Sequence, residues 1–168
     1  MFTINQIMTT ELRTLPETAS LEDAKRLMTE AHIRHIPIVN TKGKLVGLVT
    51  HRDVLAATDS TLRAPDERQS STSIPLSKIM TRDVATVDER ASLRSAALLI
   101  ERHKYGCIPV VTKGKLKGII TDSDFVAVAI NLIEQLEETE LDESNFEEPE
   151  LDESDFDAPK LDEPDVEY

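Results

Sequence analysis

The sequence predicts a mixed α/β (α+β) fold built from two β-α-β-β-α units, and three observations predict it. Short apolar phrases recur at a nearly constant offset. Each copy switches between β-branched runs and runs of helical period. The densest charge on the chain is confined to its end. "IMT" at residues 7–9 returns at 79–81, and "HIPIV" at 35–39 returns as "CIPVV" at 107–111, both shifted by 72. "LVTHRD" at 48–53 returns as "IITDSD" at 119–124, now shifted by 71 because "VNTKGKL" has become "VTKGKL" in the turn.

Each unit opens with a short extended piece, at 12–15 and again at 84–87. Ser20 and Ser92 then occupy N-cap positions ahead of amphipathic runs. Leu21, Ala24, Leu27, Met28 and Ala31 share one helical face, as do Leu93, Ala96, Ala97 and Ile100. The runs "IPIV" and "IPVV" read as strands, a Lys-Gly turn follows, and "LVGLVT" or "LKGIIT" returns as a second strand. A closing helix is expected from Arg52 to about Thr58, and from Ser123 to about Leu136. The expected boundaries are 1–58 for the first unit, 59–75 for a polar linker, 76–136 for the second unit and 137–168 for an acidic, disordered tail. Neither unit holds much core alone, so the two are expected to pack as one pseudo-twofold globule.

Composition narrows the function. The net charge of −13 is not spread evenly: 17 acidic residues and one lysine lie from Glu134 onward, which leaves 15 acidic and 18 basic residues before it. A slightly basic body therefore carries a strongly acidic tail. Such a tail disfavours nucleic acid as a partner. Cys107 is the sole cysteine, which excludes an internal disulfide and suits a reducing compartment. The start, "MFTINQIMTT", lacks a basic-then-apolar leader, and no apolar run reaches the ~18 residues of a membrane span. A cytoplasmic protein with no membrane partner is expected.

The phrases "IMT", "LEDAKRLM", "HIPIV" and "GLVTHRD" in the first unit, with "IMTRDVATV", "CIPVV" and "GIITDSD" in the second, resemble a tandem cystathionine-β-synthase (CBS) domain pair, or Bateman module. The resemblance covers roughly residues 1–135 and implies a regulatory module rather than an enzyme. It also implies a homodimer formed through helical faces. No hydrolase, P-loop, zincin or dinucleotide motif points to catalytic residues. The pair His32-x-x-His35 has no Cys or carboxylate set at ligand spacing, so no metal site is read.

The phrase Thr-x-x-Asp has two readings. With Thr at N-cap and Asp at N3 it approaches a capping box, which needs no ligand. The same geometry makes an anion site, because free N–H groups and the positive end of a helix dipole meet there. A carboxylate also has two oxygens with which to accept both hydroxyls of a ribose. The resemblance implies the second reading, with Thr50 and Asp53 serving one adenosine cleft and Thr121 and Asp124 the other. It further implies that adenine packs against Thr14, Leu15, Pro16, Ile36 and Pro37 at the first site. At the second site the corresponding residues are Thr86, Val87, Asp88, Ile108 and Pro109. Arg34, His35, His51 and Arg52 surround the first phrase, whereas Gly106, Cys107, Asp122 and Ser123 surround the second. Cations favour a polyphosphate and Asp122 opposes one, so one good site and one poor site are expected. The implied ligand is AMP, ADP or ATP, or alternatively S-adenosylmethionine, with Mg²⁺ only alongside a polyphosphate and no required cofactor.

The tail repeats "LDESNFEEPE", "LDESDFDAPK" and "LDEPDVEY" from Leu141, Leu151 and Leu161. Its charge and its prolines oppose packed structure, which gives a solubility tail. Its regular Leu and Phe give instead a repeated motif for a basic, apolar groove on a protein partner, or on the body itself. The resulting reading is an adenine-nucleotide sensor that transmits ligand state to a partner protein. Its alternative is a ligand-free dimeric scaffold acting through the acidic repeats.

Overall fold

The computed structural model describes residues 2–63 and 74–144. The remainder of the expected linker and the Leu-Asp-Glu repeats beyond residue 144 lie outside the described residues. The chain divides into Met1–Ala129 and Ile130–Tyr168.

The first division contains both repeats. In the first, β1 (Leu15–Pro16) pairs in parallel with β2 (His35–Val39), which pairs antiparallel with β3 (Leu45–Thr50). Helices α1 (Leu21–Ala31) and α2 (His51–Arg63) complete the unit. In the second, α3 (Leu93–His103) precedes the hairpin of β4 (Cys107–Thr112) and β5 (Lys115–Thr121), and α4 starts at Asp122 and ends at Ser144. The expected first strand of this repeat is reduced to a single parallel bridge between Val87 and Val110. Asp88 accounts for the shortening. Its carboxylate accepts from the Arg90 amide at 2.9 Å and from the Thr112 hydroxyl at 3.0 Å, which turns the chain out of the sheet. Those two bonds also hold its carboxyl below the usual range.

Local chemistry sets the ends of the elements. Ser20 Oγ accepts from the Asp23 amide at 3.1 Å while Asp23 accepts from the Ser20 amide at 3.0 Å, a reciprocal box at the start of α1. Ser92 caps α3 by accepting from the Ser95 amide. Helices α1 and α3 both stop on a left-handed residue, His32 (φ 53°) and Lys104 (φ 55°), where glycine is usual. The deleted residue between β4 and β5 leaves Lys113 and Gly114 both at positive φ, the signature of a two-residue type I′ hairpin.

Core membership crosses the repeat boundary. Leu76 and Met80, which lead into the second repeat, sit in the first core with Leu21, Ala24, Ile36, Ile38 and Val49. Ile4, with Ile7 and Met8, sits in the second core with Ala96, Ile108, Val110 and Ile120. Each leader is stitched to its host in the same way. Thr9 and Ile119 exchange two backbone bonds of 2.9 and 3.0 Å, and Thr81 and Leu48 exchange two of 2.9 Å. A third cluster joins Leu48, Ile119 and Cys107, flanked by Leu12 and Val84. Leu48 matches Ile119 and Leu12 matches Val84 in the repeat alignment, so this cluster sits where the halves mirror each other.

Helix α4 runs to Ser144, beyond the expected end near residue 136. Glu is the commonest residue of 137–144 and favours helix, and no proline occurs between Pro109 and Pro149. In the second division the helix leaves Ile130, Leu132, Ile133 and Leu136 each more than half exposed. No helix among the described residues is long and apolar enough to cross a membrane.

Candidate functional site

Both Thr-x-x-Asp phrases stand where a strand ends and a helix begins. Asp53 Oδ2 accepts from the Thr50 amide at 2.8 Å and from the Thr50 hydroxyl at 2.7 Å, while the Asp53 amide donates to Thr50 Oγ1 at 3.3 Å. In the second copy Asp124 Oδ2 accepts from the Thr121 amide at 2.7 Å and from its hydroxyl at 2.9 Å. These bonds satisfy backbone donors that the helix start leaves over. They engage one carboxylate oxygen, Oδ2, and leave Oδ1 of each Asp with acceptor capacity for an outside donor.

The strand pairing then sets what faces each phrase. His35 lies directly across from Thr50, and Cys107 directly across from Thr121. The His51 amide donates to the Arg34 carbonyl at 2.8 Å, and the Asp122 amide to the Gly106 carbonyl at 3.3 Å. The geometry repeats but the chemistry does not. His35 reaches into the second repeat, where its ring rests on Gly106: a Cβ there would come within 2.8 Å of Nε2. Gly106 therefore makes room for the imidazole that its own repeat lacks.

Burial lowers the His35 pKa below the ordinary value, with Arg34 acting in the same direction, while Asp122 and Asp53 pull it upward. A base whose folded pKa is depressed stabilises the fold fully above its unfolded pKa, and that contribution is lost as pH falls through the folded value. Wild-type urea midpoints are therefore expected to fall more between pH 7 and pH 5 than those of His35→Gln. Equal falls would show that the imidazole is solvated. Burial, aided by Asp122, pushes the Cys107 thiol up to about 12, so it stays a neutral thiol at physiological pH.

The other expected residues fall into two sets. Ile36 and Ile108 are fully buried in the two cores, and Pro37 and Pro109 are also buried, so none of the four presents surface to a ligand in this structure. Val87 already donates to the Pro109 carbonyl at 3.2 Å and accepts from the Val111 amide at 2.8 Å. Leu15 and Pro16 pair with Ile38 and Val39, next to Thr14. Thr86 and Asp88 are exposed, and so are Arg34, His51 and Arg52.

Arg34 and His51 also line a groove of about 580 Å³ between α1 and α2, together with Lys25 and His32. Sequence reasoning missed Lys25 and His32 as lining groups. The helical spacing of Lys25, Thr29 and His32 was the available signal.

Two interlocked α/β repeats, each starting a helix on the same Thr-Asp box, define a tandem-repeat protein. The chain belongs to the CBS domain family, whose model matches it twice, over residues 4–60 and 76–131. A crystal structure described as that of an acetoin utilization protein (AcuB) from Vibrio cholerae is 45% identical, with a TM-score of 0.71 over 82% of this chain and 97% of that one. The Arabidopsis thaliana CBS-pair protein CBSX2, solved in complex with AMP, is 27% identical with a TM-score of 0.68, over 79% of this chain and 98% of that one. Homoserine O-acetyltransferase of Methanohalophilus mahii is 35% identical over 127 residues, which are 75% of this chain and 24% of that protein. The chain thus spans about a quarter of the length of such curated relatives.

Proposed function

We propose that the chain is an adenine-nucleotide-binding regulatory module, with Thr50 and Asp53 at its principal site. The observation that carries this reading is the bond pattern at the start of α2. Asp53 is held in place through Oδ2, its Oδ1 remains open to a ribose diol, Arg52 next to it in sequence and Arg34 across the strand end supply positive charge, and His51 offers a ring nitrogen. The AMP complex of CBSX2 supports the choice of ligand class. Thr121 and Asp124 form the weaker site, because Asp122 and Ser123 stand where the first copy has His51 and Arg52.

Ligand state passes to a protein partner through the packing of the module with a second copy of itself. Ile130 and Ile133 of α4, each more than half exposed, support a homodimer. A reducing cytoplasm suits the single neutral thiol. The scaffold reading, in which the acidic repeats alone are active, is favoured by one observation: both Asp residues already serve as caps.

Thermal-shift measurements with AMP, ADP, ATP and S-adenosylmethionine, with and without Mg²⁺, separate the two. Ligand at a hundred times its Kd is expected to add about 2.7 kcal/mol of stability, or roughly 5–10 °C in Tm for a chain of this size. Asp53→Ala is expected to remove the shift and Asp124→Ala to leave most of it. Stabilisation that survives both substitutions would refute the assignment. Two equal sites by calorimetry would refute the asymmetry.

A further inference from the structure

The groove between α1 and α2 lies wholly within the first division, and its charge is what the two repeats do not share. Lys25, His32, Arg34 and His51 stand around it. Met28, Ile33 and Val54 give it an apolar lining, which the half-exposed Leu55 extends. Among the described residues no carboxylate lines it, and neither Thr50 nor Asp53 does. Lys25 meets Glu22 at 3.9 Å, an exposed pair that yields readily to a better anion. Arg34, His32 and His51 have no carboxylate at ion-pair distance among the described residues.

The repeat alignment puts Ala97, Lys104, Gly106 and Asp122 in place of the four basic groups, and Glu101 in place of Thr29. Fully charged side chains at these positions thus change from +2 (Lys25, Arg34) to −1 (Lys104 against Glu101 and Asp122). The apolar positions keep their character, with Ile100, Tyr105, Phe125 and Val126 as counterparts. Serine and threonine caps and packed cores are present in both copies, so the fold does not require the cations.

We propose that this groove binds a small organic phosphate monoester, with the phosphate among the four basic groups and the apolar body on Met28, Ile33 and Leu55. Three features select that class. Ammonium and guanidinium groups together favour a dianion, and a planar guanidinium donates to two phosphate oxygens at once. Imidazole adds N–H donors. The volume of about 580 Å³ lies in the range of small-molecule pockets and leaves space beside a bare anion, so the apolar lining is covered only by a ligand with a body. The proposal does not rest on the nucleotide reading. Arg34 and His51 serve both, but Lys25 and His32 belong to the groove alone, and the test turns on them.

The test uses the full chain and phenyl phosphate, with inorganic phosphate as the control that lacks a body, at fixed pH and ionic strength. Amide resonances of Thr29, Ile33, Leu55 and Thr58 are expected to shift and saturate together, with a Kd of about 1 mM for so small a ligand. Inorganic phosphate is expected to bind ~10-fold more weakly or worse, because it leaves the apolar lining wet. Lys25→Gln with His32→Asn is expected to raise the phenyl phosphate Kd by ~10-fold or more. Asparagine suits residue 32 because His32 sits at φ 53°, a left-handed conformation that asparagine tolerates. The exposed control Lys115→Gln is expected to change nothing, and the same spectra report whether each variant stays folded. Asp53→Asn, which keeps a capping side chain, is expected to cost no affinity. A loss there as large as in the double variant would place the phosphate in the Thr50–Asp53 box and overturn a separate site. Shifts absent at ~10 mM ligand, ten times the expected Kd, overturn the proposal. Shifts spread over all faces, or equal affinity for the two phosphates, overturn it as well.

Discussion

Ile4→Ala is expected to destabilise the protein by about 2–5 kcal/mol, the cost of truncating a fully buried aliphatic side chain. Chain termini rarely carry such weight, since first residues are commonly loose. Here Ile4 is wholly buried among Ala96, Ile108, Val110 and Ile120, far along the chain. Its amide donates to the Ala91 carbonyl at 3.1 Å, and the amide of Leu93 donates back to the Phe2 carbonyl at 3.0 Å. Leu76 repeats the arrangement in the other core, with its amide on the Ala19 carbonyl at 2.8 Å. Leu76→Ala is therefore expected to cost a similar amount, although it lies mid-chain. Urea midpoints with unchanged slopes would measure both. A loss below about 1 kcal/mol for Ile4→Ala would mean that the N-terminal segment is an appendage.

This exchange of leaders is the main feature of the fold that the repeat pattern did not disclose. Offsets of 72 and 71 align Ile4 with Leu76 and Met8 with Met80, and so reveal two equivalent segments. They assign each segment to the unit it precedes, because self-similarity carries no information about which core receives a side chain. Strands β2 to β5 and all four helices were legible, since β-branched runs, serine caps and helical faces each left a local signature. Strand β1 is two residues long and its second-repeat counterpart one bridge, because pairing at a sheet edge depends on the neighbouring strand, and in the second repeat Asp88 also turns the chain away. At the candidate site, the Thr-Asp boxes were legible from spacing. The reach of His35 across to Gly106 was not, because it links residues of different repeats.

The surroundings of the two Thr-Asp boxes differ for a reason that extends beyond charge. Arg34-His35 in one repeat answers to Gly106-Cys107 in the other. The glycine accepts the imidazole of the opposite copy, and the cysteine joins the apolar cluster with Leu48 and Ile119. Gly106→Arg would fill the space in which the His35 ring rests, and overpacking would oppose it. Loss of symmetry at the second site is thus tied to burial of His35 at the first.

Valine at Gly118, or at Gly47, is expected to be as damaging as loss of a core side chain. Neither glycine is there for its backbone freedom, because neither has positive φ. Space is the constraint. A Cβ on Gly118 would lie 2.7 Å from Met8 Sδ and 2.9 Å from the Thr9 carbonyl oxygen, and one on Gly47 would lie 2.6 Å from Met80 Sδ and 2.9 Å from the Thr81 oxygen. Methionine can swing aside at modest cost. The carbonyl cannot, because Thr9 and Ile119 are locked by two backbone bonds, as are Thr81 and Leu48. Even Gly118→Ala must push this bridge apart, adding about 1–3 kcal/mol of overpacking to about 0.5–1.5 kcal/mol for each weakened bond. Valine adds two more carbons in the same gap. Pairing Gly118→Ala with Met8→Ala distinguishes the two contacts in a double-mutant cycle. If the carbonyl limits the approach, removing the sulfur rescues little and the remaining loss tracks the Thr9–Ile119 bridge. Full rescue would place the constraint on the side chain and leave the bridge free to adapt.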